Sequence, residues 1–194
     1  MAKGTLNYLK NLIVDRNVAS VTPTSSFGVD RICRQMDFIK AKVIVEYGPG
    51  GGVFTRRLLE LMRPDAKLLA IETNSNFVEA LGREIQDSRL IPVNASAEYV
   101  LELLKEYNLG HADYIISGIP FSMFPLSLKE KILSGTNSAL TPEGIFFVYQ
   151  FLLTVSPSKH DIKKKLQEFM HFYNAEYEFR CVPPLRIYNV GKRM

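Results

Sequence analysis

The residues best suited to chemistry are acids and glycines at the ends of apolar runs. Glu46, Gly48, Gly50 and Gly52 follow Val43-Ile44-Val45 with the spacing Glu-x-Gly-x-Gly-x-Gly, and a helical pattern follows from Val53. The β-branched run predicts a buried strand. The glycines predict a tight turn that passes through positive φ and lets a ligand approach the backbone closely. A strand that turns into a helix this way cradles a nucleoside-bearing cofactor, though the same spacing also serves dinucleotides. A second acid, Glu72, ends the run Leu68-Leu69-Ala70-Ile71 at the usual offset of an acid that reads a ribose, about 20 residues past the glycines. A third segment, Asp113-Tyr114-Ile115-Ile116-Ser117-Gly118-Ile119-Pro120-Phe121, ends another apolar run in a small residue, a proline and an aromatic.

These groups need a scaffold. Apolar runs predict strands over 42–47, 67–72, 90–93, 113–117 and 145–152. Helical periodicity predicts helices over 54–62, 77–86, 97–107 and 126–133 between them. Strict alternation of strand and helix argues for a parallel sheet covered on both faces. A helix over 159–170 follows, then two strands, 175–182 and 185–190, joined so tightly by Pro183-Pro184 that they must pair antiparallel. Five parallel strands closed by an antiparallel pair differ from the six-strand dinucleotide fold. Ahead of this core, Val21-Thr22-Pro23-Thr24-Ser25-Ser26 reads as a turn, and Ser25 or Ser26 caps a helix over 27–39.

Composition narrows the class. A chain of 194 residues builds one catalytic domain, 41–194, behind an N-terminal helical segment, 1–40. Cys33 and Cys181 stand far apart without ligand spacing, which points to a reducing compartment and to neither a disulfide framework nor a metal site. The start lacks the pattern of a signal peptide. The richest apolar run, 145–155, is too short to span a bilayer and is broken by Gln150. The net charge of +4 is a weak pointer to anionic partners.

In order and spacing, the glycine turn, the acid of the second strand and the Gly-x-Pro-Phe after the fourth resemble class I S-adenosylmethionine-dependent methyltransferases. The resemblance implies a Rossmann-like methyltransferase fold: a seven-stranded, mostly parallel sheet with an antiparallel C-terminal strand and helices on both faces. It implies S-adenosylmethionine held by Glu46, Tyr47, Gly48, Gly50, Gly52, Glu72, Thr73, Asn94, Ala95, Ser96, Ser117 and Gly118, with no metal. Glu46 is then expected to face the methionine amino group, and Glu72 both ribose hydroxyls, since two carboxylate oxygens suit a vicinal diol. Many relatives carry an acid after the third strand that meets the adenine amino group. Here Ala95 stands in that slot, leaving Asn94, Ser96 or the backbone to contact the adenine edge. Glu98 is expected to begin the next helix.

The fourth-strand segment bears on the acceptor. Ribosomal RNA adenine dimethylases carry Asn-Leu-Pro-Tyr or Asn-Leu-Pro-Phe there, and their Asn positions a planar amine. Gly118 holds that place here and has no side chain. The dimethylases also carry a further helical domain for which this chain has no room. Bacterial phospholipid N-methyltransferases, with Ser-Gly-Leu-Pro there and Gly-Ala-Val-Thr-Pro-Ser-Ser near the start, are more similar, matching Ser117-Gly118-Ile119-Pro120 and the segment Val18 to Ser26. This resemblance implies N-methylation of a phosphatidylethanolamine-type amine, which attacks the sulfonium methyl as the neutral base. The acceptor side would be formed by Tyr149 and Phe121 as catalytic residues with Ile119, Pro120, Phe121, Phe124 and Gln150 around them. The aromatic rings, Phe151 and Phe27 among them, are offered to a methylated ammonium. The alternatives are an RNA adenine methyltransferase, a small-molecule methyltransferase and a cofactor binder without catalysis.

A lipid acceptor gives the amphipathic start a use. Leu6, Leu9, Leu12 and Ile13 fall on one helical face beside Lys3, Lys10 and Arg16, a pattern suited to the inner, cytoplasmic face of a membrane. Lys163-Lys164-Lys165, with Lys159, is a second basic candidate, and His111, His160 and His171 read as surface residues. Oligomeric state is left open by the sequence.

Overall fold

The computed structural model describes residues 26–152 and 162–193. The expected amphipathic start, the 21–25 turn, Lys159 and His160 lie outside the described residues. Seven strands, β1 (Val43–Tyr47), β2 (Lys67–Glu72), β3 (Leu90–Asn94), β4 (Ala112–Ser117), β5 (Leu140–Phe151), β6 (His171–Glu178) and β7 (Leu185–Gly191), form one sheet in the order β3-β2-β1-β4-β5-β7-β6. The first five pair in parallel. β7 runs antiparallel to both β5 and β6, so β6 points the same way as β1–β5. The sheet is the expected Rossmann-like one, antiparallel strand included.

Residue alternation along the strands divides the core. Val43, Val45, Tyr47, Ile115, Phe146 and Val148 face one side, under α4 (Val100–Glu106), α5 (Leu126–Ala139) and α6 (Ile162–Phe169). Ile44, Ile116 and Phe147 face the other, against α1 (Ser26–Cys33) and α2 (Val53–Leu61), with α3 (Ser75–Glu84) beside them. Val29, Ile32 and Cys33 of α1 pack with Phe54 and Leu58 of α2, and Arg57 holds Asp30 at 3.1 Å. Residues 26–33 are therefore built into the catalytic core.

Several boundaries differ from expectation. α1 stops at Cys33 rather than continuing to 39: the Gln35 and Met36 amides tighten onto the Ile32 and Cys33 carbonyls, and beyond them the Asp37 Oδ1 accepts from the Ile39 and Lys40 amides. α5 continues beyond 133 through the weak helix formers 134–138. Thr136 there bonds Tyr47, and Gly135 fits closely over Val100. Glu98 lies in a 3-10 turn (Ala97–Tyr99) ahead of α4 and pairs with Lys131 at 3.6 Å. β5 starts at Leu140, earlier than the apolar run, and β6 begins at His171 in a polar stretch because it is the edge strand. β6 ends at Glu178, which turns inward to take three donors from Arg180. Among the described residues no helix is long and apolar enough to cross a membrane.

Candidate active site

Strand order reverses between β1 and β4, and a ligand crevice opens outside the carboxyl ends of such a pair. The backbone binds the two ends together there: Tyr47 is in register with Ser117, and the Gly118 amide donates to the Tyr47 carbonyl at 3.2 Å. Gly48 sits at φ +71°, and a Cβ on it would lie 2.9 Å from Cγ2 of Ile119. Only glycine meets both demands, the left-handed turn and the close passage of the Ile119-Pro120 loop.

The glycine turn is held from two sides by acids. Glu46 is buried on the α2 face, where its Oε2 accepts from the Thr55 hydroxyl at 2.7 Å. Burial pushes its pKa up to about 7, against the lowering effect of the Thr55 bond and with a further push from the Glu72 charge. Glu72, at the end of β2, accepts from the Gly50 amide at 3.3 Å on one oxygen and from the Asn74 amide at 2.9 Å on the other; Thr73 Oγ1 lies 3.4 Å away. Both carboxylate oxygens are thus fixed by backbone donors while each keeps acceptor capacity for a diol. Among the described residues, chain neighbours aside, no heavy atom lies within 4 Å of a Cβ built on Gly50. This cradle fits the ribose and methionine parts of S-adenosylmethionine. At the end of β3, Asn94 is exposed with Nδ2 bonded to the Glu72 carbonyl at 3.0 Å, and Ala95 donates its amide to the same oxygen. The Ser96 hydroxyl is buried as the cap of the 3-10 turn.

Beside the glycine turn, at the end of β5, the site is built from rings. Tyr149 lies on the α1–α2 face of β5, stacked on Phe54 with centroids 5.0 Å apart. A Cβ built on Gly118 would fall on the Tyr149 hydroxyl and 2.5 Å from its Cζ, a separation no side chain tolerates. The phenol of Tyr149 therefore fills the space that a side chain at 118 would take.

Other expected residues stand elsewhere. The Tyr47 ring is enclosed in the core, its hydroxyl 3.0 Å from Thr136 Oγ1, so Tyr47 can serve a ligand through backbone only. Ser117 points to the α4–α6 face and is fully buried, its Oγ without a hydrogen-bond partner among the described residues. Phe121 is also fully buried and meets Phe124 edge-on at 6.0 Å; both belong to the core cluster against which Ile119 packs rather than opening toward an acceptor. Gln150 alternates to the face opposite Tyr149, so the two side chains do not converge on one point. Of the Lys163–165 run, Lys165 is bonded to Glu130 (2.8 Å) and Glu168 (2.9 Å). Two neighbours escaped the sequence reading: Thr55 on Glu46, and Phe54 under Tyr149. Their signal was a hydroxyl and an aromatic in the first turn after the glycines.

The chain also matches known proteins. A family model described as a methyltransferase domain matches residues 39–185. The ornithine lipid N-methyltransferase of Singulisphaera acidiphila is 25% identical over 130 residues, 66% of this chain and 68% of that protein. Two solved structures share the fold at 12% identity. A TehB-like SAM-dependent methyltransferase from Corynebacterium glutamicum has a TM-score of 0.65 over 96% of this chain and 98% of its own. Magnesium protoporphyrin IX methyltransferase from Synechocystis, with bound SAM, has 0.64 over 86% and 78%. The chain belongs to the methyltransferase-domain family, as a class I S-adenosylmethionine-dependent methyltransferase.

Proposed function

We propose that this methyltransferase alkylates the amine of a lipid headgroup, and the observation that carries the reading is the Tyr149 hydroxyl lying where Gly118 leaves room. When bound, S-adenosylmethionine supplies an electrophilic methyl on a sulfonium sulfur. Glu46 offers a carboxylate to the methionine ammonium and Glu72 one to the ribose diol, while the Gly48–Gly52 backbone follows the ligand's contour. The Tyr149 hydroxyl accepts a hydrogen bond from the acceptor amine, aiming the nitrogen lone pair over Gly118. Placement of this kind supplies much of the rate of an in-line transfer, in which the new N–C bond forms as the C–S bond breaks. The amine proton leaves to water. The stacked rings of Tyr149 and Phe54 give the cationic product a π face, worth roughly 0.5–2 kcal/mol.

Two observations support a lipid. The relative from Singulisphaera acidiphila is named for an ornithine lipid, which shares an aliphatic amine with phosphatidylethanolamine. In addition, a phenol in place of the dimethylases' Asn suits an aliphatic nitrogen better than the planar edge of adenine. Drawing a lipid into water costs about 0.8 kcal/mol per methylene, so the protein must come to the headgroup at the membrane surface.

The test is transfer of labelled methyl from S-adenosylmethionine to vesicles containing phosphatidylethanolamine or ornithine lipid, with unmodified ribosomal RNA in parallel. Label in either lipid, absent from RNA and lost in Tyr149→Phe, is the expected result. Label in RNA, or in no acceptor, overturns the lipid reading.

A further inference from the structure

Of the three most exposed large apolar side chains among the described residues, two, Phe179 and Val182, stand together in one turn. β6 points the same way as β1–β5, so the β6–β7 turn lies on the carboxyl edge of the sheet, the edge that carries the candidate site. Leu152, just past β5, donates its amide to Pro184 of that turn at 2.8 Å, making the turn continuous with the strand of Tyr149. Phe179 and Val182 project from it, 70% and 84% exposed. Phe27, at the start of α1, lies beneath the Arg180 guanidinium at 4.7 Å and is itself exposed.

This tip is rigidly mounted. Arg180 grips the buried Glu178 with two guanidinium bonds (2.8 and 2.7 Å) and its own amide, and Arg31 approaches the same carboxylate at 3.6 Å. The hydrogen bonds from the Arg180 side chain and amide, with the Arg180 and Arg31 charges behind them, hold the Glu178 pKa down at about 2. Phe179 is stacked on Tyr177 with rings 6.0 Å apart. The segment 179–186, Phe-Arg-Cys-Val-Pro-Pro-Leu-Arg, contains no carboxylate, and the Arg180 side chain is itself half-exposed. Apolar side chains standing out beside arginine match the boundary between headgroups and acyl chains.

We propose that Phe179 and Val182, flanked by Phe27 and Arg180, are the surface by which this protein docks on a lipid bilayer. The proposal rests on the lipid reading above and specifies its geometry. The tip enters the interface, the carboxyl edge faces the headgroups, and an amine reaches Tyr149 while its acyl chains remain in the membrane.

The chain contains no tryptophan, so Phe179→Trp introduces a single reporter. Ile39→Trp, 83% exposed on the amino edge beside Asp37 and Lys40, is the control. With vesicles of phosphatidylethanolamine and phosphatidylglycerol, Phe179→Trp emission is expected to shift to the blue and to be quenched by brominated acyl chains, while Ile39→Trp stays unchanged. In flotation, the double variant Phe179→Ser/Val182→Ser is expected to lose vesicle binding by tenfold or more. It keeps its methyl transfer to a water-soluble, short-chain phosphatidylethanolamine, which needs no docking. An unmoved Phe179→Trp spectrum, an equal shift in Ile39→Trp or full flotation of the double variant overturns the proposal. Docking through Phe179 with no methyl reaching either lipid upholds the surface and overturns only the acceptor reading.

Discussion

The two halves of the carboxyl edge are built by different means. At β1 and β2 the polar atoms are tied down: Glu46 to Thr55, Glu72 to the Gly50 and Asn74 amides, Asn94 to the Glu72 carbonyl. At β4 and β5 the shape comes from rings and an omitted side chain: Tyr149 over Gly118, Phe54 behind it, Phe121 and Phe124 below. A fixed array of donors and acceptors suits a ligand of constant structure. A slot shaped by side-chain volume suits a partner recognised by size and by one nitrogen. On the proposed function the first half holds the cofactor and the second selects the acceptor, so damage to one should leave the other intact.

The sharpest break is expected at Gly118. In Gly118→Ala the new methyl collides with the Tyr149 phenol and pushes it off the acceptor's path. A misplacement of about 1 Å costs roughly a hundredfold in rate, so kcat/KM for the lipid should fall by about that much. Cofactor affinity should stay within about twofold, because the glycine turn is untouched and Gly118, which the resemblance assigns to the cofactor, would meet it only through its backbone. Adding Tyr149→Ala removes the collision but also the hydroxyl that meets the amine, so turnover should stay low in the double variant. Full turnover in Gly118→Ala would dissolve the distinction between the halves.

The converse break is Glu72→Ala. It deletes the carboxylate that holds the turn and would meet the ribose. With hydrogen bonds to a charged group worth about 1.5–3 kcal/mol, cofactor affinity should fall roughly a hundredfold by calorimetry. Turnover at saturating cofactor should stay near that of the unaltered protein. Unchanged affinity would remove Glu72 from the cofactor half.

The same division governs how much could be read from the sequence. The glycine turn is contiguous, so spacing alone exposed it, and the second acid follows at a usual distance along the chain. The sheet was legible because its inner strands are apolar runs broken by helical periods. The acceptor half joins residues that are distant in sequence and meet only because β4 pairs with β5. Gly118 read as a missing group, and no one-dimensional pattern says that Tyr149 fills its place. Tyr47 and Phe121 were expected at the ligand by position, yet strand alternation and the turn after β4 send their rings into the core. The polar start of β6 and the weak helix formers ending α5 are held by tertiary partners rather than propensity.

A smaller effect sharpens the comparison through pH. Burial raises Glu46 from 4.5 to about 7, so the folded protein without ligand favours the protonated acid. Stability from that preference is whole below about 4.5 and is lost as pH rises through about 7. Glu46→Gln, which cannot ionise, should lack this decline. A cationic ligand group has the opposite requirement, since it pairs only with the ionised carboxylate. Cofactor affinity should therefore level off above about pH 7 and weaken below it, by at most about tenfold per pH unit, while binding near pH 6 releases protons. Calorimetry in two buffers of different ionisation enthalpy counts those protons. Glu46→Gln should bind more weakly at pH 8 but without the proton release. If the intact protein releases none either, Glu46 meets no cation, and its carboxyl serves to hold α2 to β1 through Thr55. Lipid selectivity should be the same in both proteins, because Glu46 lies wholly in the other half.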